Sequence, residues 1–194
     1  HGWAAIEVCV QDVLKVDERM RNSPFEIIGP PREIEGLPAI YPMQVRGPDN
    51  EIVYFTQIRD DLPAFDLPRA DSMIDRLFIL VMACSDMAAS LAWLEAHCDF
   101  AIGRERMEIV YTMLANAFGT LLDELHAIST MVHGKDVFLE LDQMPPQATP
   151  RPHYDGELPQ GAAIGTFVHP DFDALVERNR DLWITPPIAR DSAV

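Results

Sequence analysis

Three short apolar runs carry side chains able to do chemistry, and in each the polar groups share one face. In Phe138-Leu139-Glu140-Leu141-Asp142, extended alternation sets Leu139 and Leu141 against Phe138, Glu140 and Asp142. In Ala5-Ile6-Glu7-Val8-Cys9-Val10, Glu7 and Cys9 oppose Ile6, Val8 and Val10; in Ile52-Val53-Tyr54-Phe55-Thr56, Tyr54 and Thr56 oppose Val53 and Phe55. A carboxylate in an apolar cleft is a ligand, a general base or a group that orients a substrate. On an open sheet face it is a solvated acid, and Glu140 stands between these two readings. Cys9 has no histidine beside it in sequence to act as its base, so an inert buried thiol is the plainer reading. His126 and His133 flank the run 127–132, and their odd separation puts them on opposite faces, which denies them a shared ligand set from that strand. His126 is a candidate acid–base group and His133 a turn residue. His169 reads as a strand end beside a helix cap, His97 as a partly exposed helix residue, and Trp93, Tyr111 and Phe118 as core.

The elements that must position these groups recur along the chain. Three apolar, strand-like runs end in an aspartate and continue as an amphipathic helix: 5–11 into Asp12, 77–83 toward Asp86, and 163–168 toward Asp171. Each aspartate is placed to cap its helix by accepting from free backbone N–H groups. After Asp86, Met87, Leu91, Leu94 and Cys98 form an apolar stripe. Phe25-Glu26-Ile27-Ile28-Gly29-Pro30-Pro31 and Leu182-Trp183-Ile184-Thr185-Pro186-Pro187 each read as a short strand stopped by a proline pair. Hairpins are expected at 44–46 with 52–56, around Gly47-Pro48-Asp49-Asn50, and at 130–132 with 137–141, around Gly134-Lys135-Asp136. The unit is strand, helix, strand, hairpin. Module A takes residues 1–60 and a linker takes 61–73. Module B takes 74–144, with an inserted helix near Met107 to Phe118. Residues 145–160 form a second linker or a lid over the site, and 161–194 begin a module C that stops before its hairpin.

This order of elements, with Ile28-Gly29-Pro30-Pro31 after the first helix and Gly47-Pro48-Asp49-Asn50 before a terminal strand, resembles the vicinal oxygen chelate superfamily of glyoxalases, bleomycin-resistance proteins and extradiol dioxygenases. The resemblance implies an α+β fold of repeated βαβββ modules that form open mixed-sheet barrels around one small-molecule site, in a chain truncated at both ends. It sends Glu140 into the barrel cleft. It also sets Glu7 beside Tyr54 as a carboxylate–phenol pair, which is either part of a site or a bond that closes the barrel. In that superfamily a histidine seven residues before the capping aspartate and a glutamate in the last strand bind a metal. Here the histidine positions are Ala5, Ile79 and Ile164, and the glutamate positions are Tyr54 and Glu140. Aliphatic side chains donate no lone pair, so no transition metal and no other cofactor is expected, and Glu140 with waters alone would hold Mg²⁺ or Ca²⁺ only weakly.

Composition narrows the classes further. Of 194 residues 48% are hydrophobic, enough for a real core, and the formal net charge is −16. That charge opposes binding to nucleic-acid phosphates and to anionic membranes. No run reaches the roughly 18 apolar residues of a spanning helix. Cys9, Cys84 and Cys98 form no close pair and read as free thiols, which places the chain in the cytoplasm. An incomplete module C would leave open strand edges, so a homo-oligomer, or contact with further modules of the same polypeptide, is expected. The expected function is a small-molecule enzyme (isomerase, lyase or dioxygenase-like) that is metal-independent or has a degraded metal site, with Glu140, Glu7, Tyr54 and His126 as candidate catalytic residues. The alternative is a non-catalytic protein that binds or sequesters a small molecule, of the bleomycin-resistance type.

Overall fold

Both complete modules start from the same junction. In the computed structural model, which describes residues 1–152 and 154–188, β1 (Gly2–Val10) meets α1 (Val13–Arg21) at Asp12, whose carboxylate accepts from the N–H of Leu14 at 3.1 Å and of Lys15 at 3.2 Å. Likewise β5 (Ile74–Cys84) meets α2 (Met87–Cys98) at Asp86, which accepts from Ala89 N–H at 2.9 Å. A glutamine from each module's last strand adds a second tie. Gln57 Oε1 accepts from Val13 N–H at 3.2 Å, and Gln143 Oε1 from Met87 N–H at 3.3 Å. Between these points lie β2 (Glu26–Gly29), β3 (Ile40–Arg46) and β4 (Ile52–Ile58) in the first module, and β6 (Ala101–Val110), β7 (Leu125–His133) and β8 (Asp136–Gln143) in the second. The hairpin turns use left-handed backbone where a two-strand reversal needs it, at Asn50 (φ 61°) and Gly134 (φ 63°).

The eight strands form one mixed sheet, ordered β2-β3-β4-β1-β5-β8-β7-β6, curled into a half-barrel. β1 and β5 run antiparallel at its centre, and each is parallel to the last strand of its own module. Alternation then sorts the side chains. On the convex face Val13, Val16 and Met20 of α1 cover Val8, Val10, Val53 and Phe55, while Met87, Leu91 and Leu94 of α2 cover Leu139, Leu141 and Met131. The concave face keeps Ala5, Tyr54, Ile79, Val81, Ile128 and Val132.

Four expectations need correction. Phe138 does not share the Glu140 face: a bulge in the β7–β8 ladder, between the Met131–Leu139 and Val132–Val137 pairs, turns Phe138 toward the α2 side, against Phe100. The inserted helix does not start near Met107. Met107–Val110 complete β6, and the helix is the shorter α3 (Thr112–Phe118), ended by Gly119 at φ 65°. Residues 163–168 are not a strand: they pair with none of the eight and run as irregular chain. Residues 182–187 are not a strand either; they follow a 3₁₀ turn, Arg180–Leu182. Residues 189–194, the end of the expected third module, lie outside the described residues.

In place of a third module, residues 145–170 lie across both complete ones as a strap. Arg151 donates to the carbonyls of Trp3, Gln160 and Ala162, and Asn50 bonds Gln160. Gly165 lies so close to Trp3 that a Cβ there would collide with the indole. Phe167 then seats its ring among Trp3, Phe100 and Phe138, at centroid distances of 5.7, 5.2 and 5.5 Å. The strap ends in α4 (Phe172–Arg178), capped by Asp171 through Ala174 N–H and tied to α2 by Asn179–His97 and Arg178–Asp99. His153 lies outside the described residues. Among the described residues no helix is long and apolar enough to cross a membrane.

Candidate functional site

Three carboxyl groups converge on the concave face from strands near the centre of the sheet. Glu7 comes from β1; Glu140 and Asp142, two residues apart on one face, come from β8. Leu139 and Leu141 are fully buried beneath α2, which fixes the rotation of β8 and aims the two acids inward. Asp142 is fully buried, and its Oδ2 accepts from two phenols, Tyr54 Oη and Tyr111 Oη, each at 3.1 Å. The two tyrosine rings meet edge to face. Tyr54 arrives on β4, and Tyr111 stands between β6 and α3. The Glu140 carboxyl lies within hydrogen-bonding reach of Asp142. Glu7, also buried, accepts a short hydrogen bond from Thr56 on β4.

Beside the acids is a cavity of about 110 Å³ whose walls are mostly aliphatic, with Ile40, Ile58, Leu67, Ile79, Ile109 and Val137 among them. Glu7, Tyr54, Thr56, Tyr111 and Glu140 line its floor, and residues from 30–37 and 62–67 line its mouth. Arg32 and Arg104 also line it, but Arg32 bonds Thr112 and Arg104 lies near Met107 and over Phe65. Among the described residues none of the three acids is in an ion pair.

Burial without a counter-charge raises the pKa of all three groups, because the charged form loses hydration and gains no cation. Glu7 is pushed up to about 7, chiefly by burial and further by the charge of Asp142, against the lowering pull of Thr56. Asp142 rises to about 6, again by burial, and is held back by the hydrogen bonds from Tyr111, Glu140 and Tyr54. Glu140 rises well above the ordinary glutamate range through burial and the charges of Asp142 and Glu7. Both phenols are raised well above 10, by burial and then by Asp142, so they remain donors. At neutral pH the cluster holds protons that an exposed trio of acids would have lost. The three behave as one titrating unit.

Of the four residues singled out from the sequence, the fold brings three to this cavity. Glu7 and Tyr54 are register partners across the parallel β1–β4 pair, yet they do not bond each other: the phenol reaches Asp142, and Glu7 takes Thr56. His126 is buried opposite Ile109 at the β6–β7 edge and does not line the cavity, so it is not joined to Glu140. Its Nε2 has no hydrogen-bond partner among the described residues. Cys9 is buried with its thiol directed to the Pro68 carbonyl, and burial pushes that thiol up, away from nucleophilic character. His169 pairs with Asp99, His97 stacks on a half-exposed Trp93, and His133 sits at the β7–β8 turn. Sequence reading assigned Tyr111 to the core and gave Asp142 no role. Asp142 was visible as the acid two residues beyond Glu140 on the same face. Nothing local marks Tyr111, which meets Asp142 only through the fold.

The two modules superpose in pattern. The helix-capping glutamines Gln57 and Gln143 mark equivalent points, which makes Tyr54 equivalent to Glu140 and Thr56 to Asp142. No protein-family model matches the sequence, and no curated protein sequence matches it. Solved structures do match. Methylmalonyl-CoA epimerase from Mycobacterium tuberculosis aligns with a TM-score of 0.51 at 15% identity, covering 75% of this chain and 89% of that one. This is the vicinal oxygen chelate fold. Other structures with the vicinal oxygen chelate fold align at lower scores: glyoxalase I from Zea mays (TM-score 0.49, 15% identity) and a single-substitution variant of Streptomyces coelicolor methylmalonyl-CoA epimerase (TM-score 0.47, 15% identity). The alignments cover 75% and 76% of this chain, which spans 44% of the maize structure and 97% of the Streptomyces one.

The positions at which the resemblance implies metal ligands are here Ala5, Ile79, Tyr54 and Glu140. Ala5 and Ile79 are buried on the concave face with no donor atom, and Ile164 is exposed on the strap. One phenol and one carboxyl do not make a transition-metal centre. Among the described residues no group of three His, Cys, Asp or Glu side chains is placed to hold an ion.

Proposed function

We propose that this vicinal oxygen chelate protein is a small-molecule enzyme that moves a proton on a small, largely apolar substrate, using its own carboxyl groups without a bound transition metal. The observation that carries this reading is the trio of buried Glu7, half-buried Glu140 and fully buried Asp142, the first two lining a cavity and all three left without a cation. Acids whose environments push their affinities for protons apart divide the work of acid and base. Glu7, near 7, is ionised in a large share of molecules at neutral pH and accepts the substrate proton. Glu140, whose hold on its proton is raised by burial and by the charges of Asp142 and Glu7, returns a proton; in the reverse direction Glu140 is the base. Asp142, braced by Tyr54 and Tyr111, keeps Glu140 in place and protonated at rest. The aliphatic wall excludes water and selects an apolar substrate body. A chelated metal would supply Lewis-acid stabilisation elsewhere in this superfamily; the residues present do not fit one, and no step here uses one.

A sequestering protein would need the aliphatic wall but not the titrating pair. A thermal-shift screen of small carbonyl compounds and carbon acids identifies ligands, and NMR in D₂O then follows exchange of the ligand's acidic hydrogen. The expected result is protein-dependent deuterium incorporation that Glu140→Gln abolishes while the ligand still binds. Tight binding with no exchange in the native protein would overturn the enzymatic reading and leave the binder.

A further inference from the structure

Two arginines stand at the mouth of the acid-floored cavity with no acid to pair with. Most described Lys and Arg side chains of this chain are held by a carboxylate, among them Arg46, Arg59, Arg69, Arg106 and Arg178. Arg151 is occupied instead by three carbonyls. Arg32 and Arg104 differ: among the described residues neither is in an ion pair. Arg32 donates to the Thr112 hydroxyl at 2.9 Å, from an exposed position on the 30–37 segment. Arg104 is half-buried, reaches the Met107 sulfur at 2.9 Å, and holds its guanidinium over the Phe65 ring at 5.6 Å. None of these neighbours carries charge. Both arginines line the cavity, and Glu33, also at its mouth, is taken by Arg59 at 2.6 Å. In a chain of net charge −16 with 31 Asp and Glu, two guanidiniums without carboxylates at one opening are a local reversal of sign. The ladder relates them to the acids: Arg104 is in register with Thr130 on β7, and Thr130 with Glu140 on β8. The Arg104 and Glu140 backbones are therefore two strand spacings apart, about 10 Å, along one wall of the cavity.

We propose that the substrate is a monocarboxylic acid with an apolar body, its carboxylate held at the mouth by Arg32 and Arg104 and its reacting carbon at the Glu7 and Glu140 end. This deepens the proton-transfer reading and rests on it for which end reacts; the carboxylate site itself does not. A guanidinium offers a carboxylate parallel N–H donors and a full opposite charge, which Thr112, Met107 and Phe65 cannot answer. An alcohol gains the hydrogen bonds without the charge. An ammonium head meets two like charges at the entrance. A phosphate dianion brings a second negative charge against the acid floor and the charge of the whole chain. A single carboxylate engages both arginines and leaves the aliphatic wall to the rest of the molecule.

Methionine methyls resolve the test by site, because Met107 lines this cavity while Met113 and Met144 line a separate one beside α3. Protein labelled with ¹³C at the methionine methyls is titrated at neutral pH with hexanoate and with hexanol. Hexanoate is expected to shift Met107, to leave Met113 and Met144 in place, and to bind roughly tenfold or more tightly than hexanol. Arg104→Gln should weaken hexanoate roughly tenfold, and the more exposed Arg32→Gln several-fold, with hexanol affinity unchanged in both. Should Arg104→Gln perturb β6, Arg32→Gln decides alone, since its side chain lies on an exposed segment. Equal affinity for the two probes, a response at Met113 and Met144 in place of Met107, or hexanoate affinity unchanged by Arg32→Gln would each overturn the assignment. Hexanoate is bound and not turned over, so the outcome is independent of deuterium exchange. Arginine-dependent binding with no exchange on any ligand keeps the carboxylate site and removes the enzymatic reading. Exchange on a neutral ketone with no preference for carboxylates does the reverse.

Discussion

Replacing Glu7 with glutamine should stabilise the protein, and more so as the pH rises. Glu7 is only 6% exposed, has no ion-pair partner, and its proton affinity is raised from the ordinary 4.5 to about 7. A carboxyl whose folded value is raised favours the native state below the unfolded value and loses that contribution as the pH climbs through the folded one. Below pH 4.5 Glu7 is protonated whether folded or not, and glutamine is close to it in shape and keeps an oxygen for Thr56. Above pH 7 the native chain must hold the charged form in an apolar site. At about 1.4 kcal/mol per tenfold change in proton affinity, the interval from 4.5 to about 7 corresponds to about 3 kcal/mol. Glu7→Gln should therefore match the native protein in urea at low pH and exceed it by about 3 kcal/mol above pH 7. With urea slopes of about 1–3 kcal/mol per molar, that displaces the midpoint by on the order of 1 M. A difference independent of pH, or a variant less stable than the native chain above pH 7, would refute the uncompensated burial on which the site rests.

Tyr111→Phe removes one of the two donors to Asp142 and should cost about 2 kcal/mol where that acid is ionised. Because the bond favours the ionised form, the loss should grow as pH rises past about 6 and fade below it, where folded Asp142 is protonated; a loss greatest at low pH would exclude the phenol–carboxylate bond. Asp86→Ala deletes the N-cap of α2 and should lower stability by about 1 kcal/mol in chemical denaturation, with the sheet unchanged by circular dichroism. Elemental analysis of protein purified without chelator should find no stoichiometric iron, zinc or manganese, and a side-chain-held equivalent of any of them would overturn the donor-set argument.

What could be read from the sequence was whatever local chemistry repeats. A strand ending in an aspartate that opens a helix needs only alternation and a capping carboxylate, and it is present at Asp12 and Asp86. β6 was harder, because Arg104, Glu105, Arg106 and Glu108 interrupt its apolar pattern, as charges on an edge strand often do. Residues 163–168 have the opposite history. Ala163 to Val168 has the composition of a strand but pairs with none and stays irregular, with Phe167 half-buried among aromatic rings and Ile164 and Val168 left exposed. Within the site, Glu140 and Glu7 followed from alternation. The partners of Tyr54 did not: a phenol between two acids is claimed by whichever the curvature of the sheet brings near, and here that is Asp142, 88 residues away in sequence.

The strap also imposes an order on synthesis. Both modules and the β1–β5 seam can close as soon as Gln143 has left the ribosome, since every strand is then in solution. Trp3, Phe100 and Phe138, however, lack their covering ring until Phe167 follows, and the Trp3 carbonyl waits for Arg151. A nascent chain halted between those points carries a finished sheet with an aromatic patch that spans both modules, a surface open to chaperones or to the same patch on a neighbouring polysome chain. Indole emission from Trp3 would time its closure.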